Sequence, residues 1–249
     1  MWIDCPRPAV IAHRGDQCHA PENTLSAFKL AAEKGADAIE FDVKLCADKE
    51  IVILHDQTVD RTTNGTGNVS KYSIAALREL DAGAWFSEVY HGETIPTLDE
   101  VFETVGNRLT MNVELTNYAT PNDGLVQAVV ELVKRHGLQE RILFSSFLVH
   151  NLKKVRSLLP DVPRGLLTLP GLTGYLGRTF TWRGDYFALH PYLSDVQEGL
   201  VNRVHAAGKR VHVWTVNARE DLSKMIALGV DAIFTDDPQL LLSLLERSK

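Results

Sequence analysis

The sequence predicts an α/β protein with the fold of a (β/α)8 TIM barrel, and three observations lead to that prediction. The chain has 249 residues, and such barrels need roughly 250. Short runs rich in β-branched residues alternate with amphipathic runs of helical length, which indicates parallel strands joined by helical crossovers. Eight strands of this kind occupy nearly the whole chain, which favours one closed barrel over an open sheet.

The elements follow one another in regular order. The predicted strands are Ala9–Ala12, Ala38–Val43, Leu109–Leu115, Ile142–Ser145, Arg164–Thr168, Tyr186–Leu189, Arg210–Thr215 and Ala232–Thr235. The predicted helices between and after them are Thr24–Lys34, Leu98–Val105, Gly124–His136, Leu148–Leu158, Gln197–Ala207, Arg219–Ala227 and Pro238–Arg247. The connection Pro170–Arg183 is rich in Gly and Thr, and we expect a loop or a short helix there. Two helix-to-strand joints place Gly35 and Gly229 where a left-handed residue can end a helix.

One segment, at about residues 45–96, interrupts this alternation. It contains a strand-like run, Glu50–Leu54, and then polar turns through residues 60–67. Long connections are usually functional, and this one follows the end of the second strand. We therefore expect a single domain over residues 1–249, with a small lid-like insertion after the second strand, over the C-terminal mouth of the barrel.

Composition and charge exclude several classes of protein. A hydrophobic fraction of 45% and a charged fraction of 23% are typical of a globular protein, and the formal net charge of −6 argues against nucleic-acid binding. The three cysteines are widely spaced and predict neither a disulfide framework nor a thiolate zinc site. No signal peptide and no run of roughly 20 apolar residues is visible, so we expect a cytoplasmic protein without a transmembrane segment.

Three carboxylates are predicted to meet at the C-terminal mouth. Glu40 and Asp42 lie two residues apart, so their side chains share the inward face of the second strand, and Glu114 lies near the end of the third. Such carboxylates repel one another unless a cation or a proton lies between them. Oxygen ligands suit a hard cation, so the pattern predicts a site for one divalent ion, Mg²⁺ or Ca²⁺.

Two histidines and an arginine are predicted at the same mouth. His13 comes directly after the first strand, and His55 ends the short apolar run of the insertion. Both are suited to general acid and general base catalysis near neutral pH. Arg14 offers a planar fork that matches a phosphate or a carboxylate. His190, at the end of the sixth predicted strand, is a further open candidate.

Two residues before the first predicted helix have alternative roles. Asn23 is predicted as the N-cap of the helix that begins at Thr24. Glu22 would orient His13 or Arg14, or else contribute to the cap.

Eight short motifs, taken in order, resemble those of the glycerophosphodiester phosphodiesterase family. They are His-Arg-Gly at 13–15, Pro-Glu-Asn-Thr at 21–24, Glu-Phe-Asp-Val at 40–43, His-Asp at 55–56, Ile-Pro-Thr-Leu at 95–98, Asn-Val-Glu at 112–114, Val-Trp-Thr-Val-Asn at 213–217 and Thr-Asp at 235–236. The resemblance extends from about Ala9 to Pro238. It implies hydrolysis of a glycerophosphodiester to an alcohol and sn-glycerol 3-phosphate, through a cyclic phosphate.

The resemblance also implies a role for particular residues. Glu40, Asp42 and Glu114 would hold one divalent cation. His13 and His55 would be the general acid–base pair, with the assignment of acid and base left open. Arg14 would bind the phosphate of the substrate.

One position departs from the family pattern. The family usually has a lysine two residues after its third-strand glutamate, whereas this chain has Thr116, which carries no charge. Lys44 shares the inward face of the second strand with Asp42 and would either supply the missing charge or remain solvated. Trp214 would either wall the glycerol pocket or belong to the core.

Two other functions stay open. The same site would act on lysophospholipids if an apolar channel lay under the insertion, near Trp85, Phe86, Val89 and Tyr90. The protein would instead bind phosphodiester headgroups without hydrolysing them if the change at Thr116 had removed catalysis.

Overall fold

Eight parallel strands close into a barrel in the computed structural model, which describes residues 2–247. Within these residues the sheet consists of β1 (Ala9–His13), β2 (Ala38–Leu45), β3 (Ile51–Ile53), β4 (Thr110–Leu115), β5 (Ile142–Ser146), β6 (Arg164–Thr168), β7 (Ala188–Pro191), β8 (Arg210–Val213) and β9 (Ala232–Thr235). The ring runs β1-β2-β4-β5-β6-β7-β8-β9 and closes where β9 pairs with β1, whereas the short β3 pairs antiparallel with β2. The predicted TIM barrel is confirmed.

At least one helix follows each barrel strand. The helices are α1 (Leu25–Lys34), α2 (Ile74–Arg78), α3 (Leu98–Val105), α4 (Leu125–His136), α5 (Val149–Leu158), α6 (Tyr175–Thr179), α7 (Glu198–Ala206), α8 (Arg219–Ala227) and α9 (Pro238–Leu244). Every helix predicted from the sequence is present, and the connection after β6 contains the short helix α6 between two 3₁₀ turns. Within the described part of the chain, none of the helices has the length and apolar character needed to span a membrane.

Four predicted elements have ends that differ from the structure by two residues or more, and the first of them, β2, ends at Leu45 rather than Val43. The strand predicted at Tyr186–Leu189 lies two residues later, and the carbonyl of its last residue, Pro191, accepts from the backbone N–H of Trp214 at 3.2 Å. The next strand ends at Val213 rather than Thr215, and α9 ends at Leu244 rather than Arg247. These shifts leave Trp214 just beyond the end of its strand.

Local sequence explains how the helices begin and end. At the start of α3, the Thr97 hydroxyl accepts from the backbone N–H of Glu100 at 3.3 Å, and the Glu100 carboxylate accepts from the backbone N–H of Thr97 at 2.8 Å. After α1, Gly35 has a φ of 90°, and Gly229 after α8 has a φ of 71°. Both glycines occupy the left-handed conformation that the sequence predicted for them.

Alternation along the strands separates two apolar layers. Outward side chains such as Ile39, Phe41 and Phe144 are fully buried in the core between strands and helices. Inward side chains such as Ile11, Leu143 and Phe234 fill the barrel together with Trp2. The inward positions nearer the C-terminal ends of the strands are polar, which places the candidate site at that mouth.

The insertion between β2 and α3 has a small core of its own. That core consists of Cys46, Val52, Leu54, Val59, Val69, Leu77, Ala82 and Ile95. The strand-like run predicted at Glu50–Leu54 contains β3, which pairs antiparallel with the last residues of β2. The Tyr90 hydroxyl donates to the backbone carbonyl of His19 at 2.7 Å, and the Ser26 hydroxyl donates to the carboxylate of Glu93. These contacts join the insertion to the loop and helix that follow β1; a lid-like motion stays a prediction.

Candidate active site

Strand register brings the three predicted carboxylates together. In the β1–β2 pair His13 lies opposite Glu40, and in the β2–β4 pair Asp42 lies opposite Glu114. Carboxylate oxygens of Glu40, Asp42 and Glu114 lie within 4.8 Å of one another. Among the residues that the structure describes, this acidic triad is the one group of three or more potential metal ligands found so close together.

Burial and mutual repulsion disturb the ionisation of the acidic triad. Burial, followed by the charges of Asp42 and Glu114, raises the pKa of Glu40 well above its ordinary value. Burial and the charge of Asp42 raise the pKa of Glu114 to about 8. Burial would also raise the pKa of Asp42, but the positive charge of Arg14 lowers it, and so, more weakly, do the charge of Lys44 and the hydrogen bond from Asn23. An all-oxygen donor set with uncompensated repulsion fits a hard divalent cation.

Arg14 lies against the acidic triad because the chain turns sharply after β1. Arg14 and Gly15 have φ values of 57° and 87°, and a Cβ on Gly15 would lie 2.6 Å from the Cβ of Ala27 on α1. The backbone N–H of Arg14 donates to Glu40 Oε2 at 3.2 Å, and Arg14 Nε lies 3.5 Å from Asp42 Oδ2. The Arg14 guanidinium therefore offers positive charge directly beside the carboxylates.

The two residues before α1 have defined partners at the site. Thr24, not Asn23, is the N-cap of α1, since its side chain accepts from the backbone N–H of Ala27 at 3.3 Å, so the cap prediction for Asn23 is wrong. Asn23 is buried with a φ of 57°, and its amide donates to Asp42 Oδ2 at 3.1 Å. Glu22 accepts from Arg14 Nη1 at 2.9 Å, which is one of the partners the sequence suggested.

Each predicted catalytic histidine has a carboxylate beside its Nδ1 atom. His13 Nδ1 lies 2.7 Å from Asp236 Oδ1, while His13 Nε2 lies 4.0 Å from Glu40 Oε2. His55 Nδ1 lies 2.6 Å from Asp56 Oδ1. A carboxylate at Nδ1 fixes the imidazole tautomer and leaves Nε2 as the nitrogen that can exchange a proton with a substrate.

Lys44 is buried rather than solvated. Its ammonium donates to the hydroxyl of Thr116 at 2.7 Å and to the backbone carbonyl of Thr116 at 3.2 Å. Burial lowers the pKa of Lys44, and the charges of Asp42 and Glu114 oppose that effect. The Lys44 ammonium thus lies against the residue that departs from the family pattern.

Aromatic side chains extend from the acidic triad to Trp214. The Tyr118 hydroxyl donates to Glu114 Oε1 at 2.5 Å, and the Tyr118 ring packs edge-to-face on Phe147 with centroids 5.8 Å apart. Phe147 packs in the same way on Trp214 at 5.6 Å, and Trp214 packs on Tyr192 at 5.2 Å. Trp214 is therefore part of an aromatic wall that reaches the site.

His190 lies below this wall and outside the site. Its ring is fully buried in the barrel interior, stacks on His212 with centroids 4.8 Å apart, and has its pKa lowered to about 3 by burial. Trp214 Nε1 donates to the backbone carbonyl of His190 at 2.8 Å. His190 was an open candidate in the sequence, and the structure does not place it with His13 and His55.

Several residues of the site received no role from the sequence. Asp236 follows β9, which neighbours β1, so its position at a strand end was a usable signal for a partner of His13. Gln17 Nε2 lies 3.0 Å from His13 Nδ1 and also donates to Asp236 Oδ1 at 2.7 Å. Arg61 and Tyr118 lie in connecting segments, where no periodic pattern indicates which way a side chain points.

Comparison with known proteins identifies the family of this chain. A model of the glycerophosphoryl diester phosphodiesterase family matches residues 13–240. The glycerophosphodiester phosphodiesterase of Caldanaerobacter subterraneus subsp. tengcongensis is 40% identical over 239 residues, which cover 96% of this chain and 98% of that protein. The glycerophosphodiester phosphodiesterase of Bacillus altitudinis is 34% identical over 247 residues, which cover 96% and 99% respectively.

A solved structure shows the same fold. The structure of an Oleispira antarctica phosphodiesterase in complex with the product sn-glycerol-3-phosphate aligns with a TM-score of 0.88 and 36% sequence identity, covering 96% of this chain and 97% of that one. The resemblance found in the sequence motifs is confirmed. This chain belongs to the glycerophosphoryl diester phosphodiesterase family.

Proposed function

We propose that the protein hydrolyses a glycerophosphodiester to an alcohol and sn-glycerol 3-phosphate, with one divalent cation at the acidic triad. The observation that carries this proposal is the triad itself, with Arg14 beside it and a histidine–carboxylate pair from each of two neighbouring segments. The product complex of the Oleispira antarctica relative supports the same substrate class. The choice between Mg²⁺ and Ca²⁺ and a cytoplasmic location stay predictions.

Glu40, Asp42 and Glu114 would hold the cation through carboxylate oxygens. When bound, such a cation polarises the phosphoryl oxygens and lowers the pKa of a nearby hydroxyl group. The Arg14 guanidinium would bind the phosphate, since its planar fork matches two phosphate oxygens. Trp214 would form one wall of the glycerol pocket through its contact with Phe147.

His13 and His55 would move the protons of the reaction. One histidine takes the proton of the glycerol 2-hydroxyl as its oxygen forms a bond to phosphorus, and the other donates a proton to the departing alcohol as its bond to phosphorus breaks. This step leaves a cyclic phosphate, which water opens to sn-glycerol 3-phosphate by the same proton transfers in reverse. Asp236 and Asp56 would orient the two rings through Nδ1.

Lys44 would supply the charge that Thr116 does not. Its buried ammonium lies within hydrogen-bond distance of Thr116 and interacts electrostatically with Asp42 and Glu114. The non-catalytic interpretation was supported only by the loss of charge at position 116. With Lys44 in that role, the uncharged Thr116 would no longer argue against catalysis.

Removal of divalent metal is expected to abolish hydrolysis of glycerophosphocholine or glycerophosphoethanolamine, and added Mg²⁺ or Ca²⁺ should restore it.

His13→Ala and His55→Ala should each lower kcat by about 100-fold or more, because each removes a proton-transfer group. His136→Ala is the matched control, since His136 forms a comparable pair with Asp99 at 2.7 Å on another part of the barrel. Full activity in EDTA, or in both histidine variants, would contradict the proposal.

Lys44→Thr is expected to lower kcat/KM by about 100-fold, as removal of one charge-stabilising group does in other enzymes. The exchange variant Lys44→Thr/Thr116→Lys should recover much of that loss, because it returns the ammonium from the end of the neighbouring strand, β4. Thr116→Val, which keeps Lys44, should cost far less. An unchanged Lys44→Thr variant, or an exchange variant no better than the single one, would show that Lys44 does not replace the missing charge. Steady-state kinetics at several metal concentrations provide the measurement.

A second candidate function, lysophospholipid hydrolysis, is favoured by one surface. The segment after β6 exposes an apolar patch of five residues: Leu169, Leu172, Tyr175, Leu176 and Phe180. Leu172 is 91% exposed and Phe180 is 59% exposed. Both belong to the segment that follows the C-terminal end of β6, at the mouth of the barrel. By contrast, Trp85, Phe86 and Tyr90 of the insertion pack edge-to-face on one another.

If this apolar patch contacts an acyl chain, Leu172→Ser/Phe180→Ser should lower kcat/KM for lysophosphatidylcholine by about tenfold and leave glycerophosphocholine hydrolysis unchanged. Val89→Ser tests the alternative surface on the insertion, where Val89 is 87% exposed. No turnover of the acylated substrate, or equal losses for both substrates, would exclude this second function while leaving the first intact.

A further inference from the structure

Arg61, a residue of the insertion, connects two parts of the active site. Its guanidinium donates through Nη1 to Glu22 Oε2 at 2.6 Å and through Nη2 to Glu22 Oε1 at 2.9 Å. Its Nε also donates to Asp56 Oδ2 at 2.7 Å. Glu22 is the partner of Arg14, and Asp56 is the partner of His55. One side chain therefore contacts the carboxylate neighbours of both groups.

The Glu22 carboxylate lies between two guanidinium groups. It is nearly buried, and it accepts from Arg14 at 2.9 Å and from Arg61 at two oxygens. Burial would raise the pKa of Glu22, but the hydrogen bond from Arg61 and the charge of Arg14 lower it. Since Arg61 shares this negative charge, Glu22 fixes the position of the Arg14 guanidinium without neutralising all of its charge.

The Asp56 carboxylate is shared in the same manner. Arg61 donates to both of its oxygens, through Nε to Oδ2 at 2.7 Å and through Nη2 to Oδ1 at 3.3 Å, and Oδ1 also lies 2.6 Å from His55 Nδ1. The hydrogen bond from Arg61 is the main cause that lowers the pKa of Asp56 to about 2. Without Arg61, the Asp56 side chain would be free to rotate at the protein surface, and the ring of His55 would lose its fixed orientation.

We propose that Arg61 is a positioning residue that holds Arg14 and His55 in place at the same time, each through one carboxylate. This inference rests on the proposed phosphodiesterase function, and it adds that the insertion is required for catalysis through Arg61 as well as through His55. The Arg61 side chain is 45% exposed, and the buried Glu22 keeps Arg14 as a partner at 2.9 Å when Arg61 is removed, so the Arg61 ion pairs contribute little to folding stability. Its loss should therefore appear in turnover and not in thermal unfolding.

Arg61→Met is expected to lower kcat for glycerophosphocholine by about 100-fold and to raise the inhibition constant of sn-glycerol 3-phosphate by several-fold, with an unchanged Tm. Arg61→Lys should retain intermediate activity, because it keeps the charge but not the fork. Methylguanidinium added to Arg61→Ala should restore part of kcat. Arg156→Met is the matched control, since Arg156 Nε lies 2.9 Å from Asp185 in another exposed ion pair.

A double-mutant cycle separates positioning from general electrostatics. Asp56→Asn should lower kcat with little change in KM, and the loss in Arg61→Met/Asp56→Asn should be much smaller than the product of the two single losses. A fully multiplicative loss, or an Arg61→Met enzyme as active as the Arg156→Met control, would overturn the inference. If the Tm of Arg61→Met falls so far that unfolding at the assay temperature accounts for the lost activity, Arg61 has a structural role only.

The structure of the Arg61→Met variant provides a readout that does not depend on turnover. We expect Glu22 to pair with Arg14 alone and the His55 ring to leave its place beside Asp56. If Glu22 and the His55 ring both keep the positions that they have in the wild-type protein, the inference is wrong whether or not the wild-type protein hydrolyses the substrate. If the wild-type protein is inactive but these side chains move, the proposed function fails and the positioning role stands.

Discussion

Repulsion among the three carboxylates of the acidic triad is the constraint on which the site depends. Burial favours the neutral form of Glu40 and Glu114, whereas Arg14 keeps Asp42 ionised. The structure holds these groups together because the strands that carry them are fixed by the core below and around them. In the proposed function the triad would provide binding energy for a cation at the expense of stability without one.

The remaining site residues arise from two sources. The barrel supplies the triad, Arg14 and His13 at the ends of neighbouring parallel strands, where register fixes which residues lie side by side. The insertion supplies His55, and Arg61 ties it to the barrel through Glu22. A site formed in this way combines side chains held by the barrel strands with side chains held by the insertion.

Residues on strands could be predicted from the sequence, whereas contacts between connecting segments could not. Glu40 and Asp42 were assigned to the inward face by alternation alone, and the pairing of β2 with β4 then brings Glu114 beside them. Asn23 was misassigned because a residue before a helix can cap it or turn away, and the choice depends on a partner on β2. Arg61 gave no signal, since its contacts exist only once the insertion has folded against the loop after β1.

Thermal unfolding of Glu114→Gln and the wild-type protein, each with and without divalent cation at pH 8, tests the central claim most directly. The variant keeps the acceptor for the Tyr118 hydroxyl but removes one charge from the triad. We expect the metal-free variant to unfold at a higher temperature than the metal-free wild type, and added Mg²⁺ or Ca²⁺ to stabilise only the wild type. A metal-free variant that is less stable, or equal stabilisation of both proteins by the cation, would contradict the account.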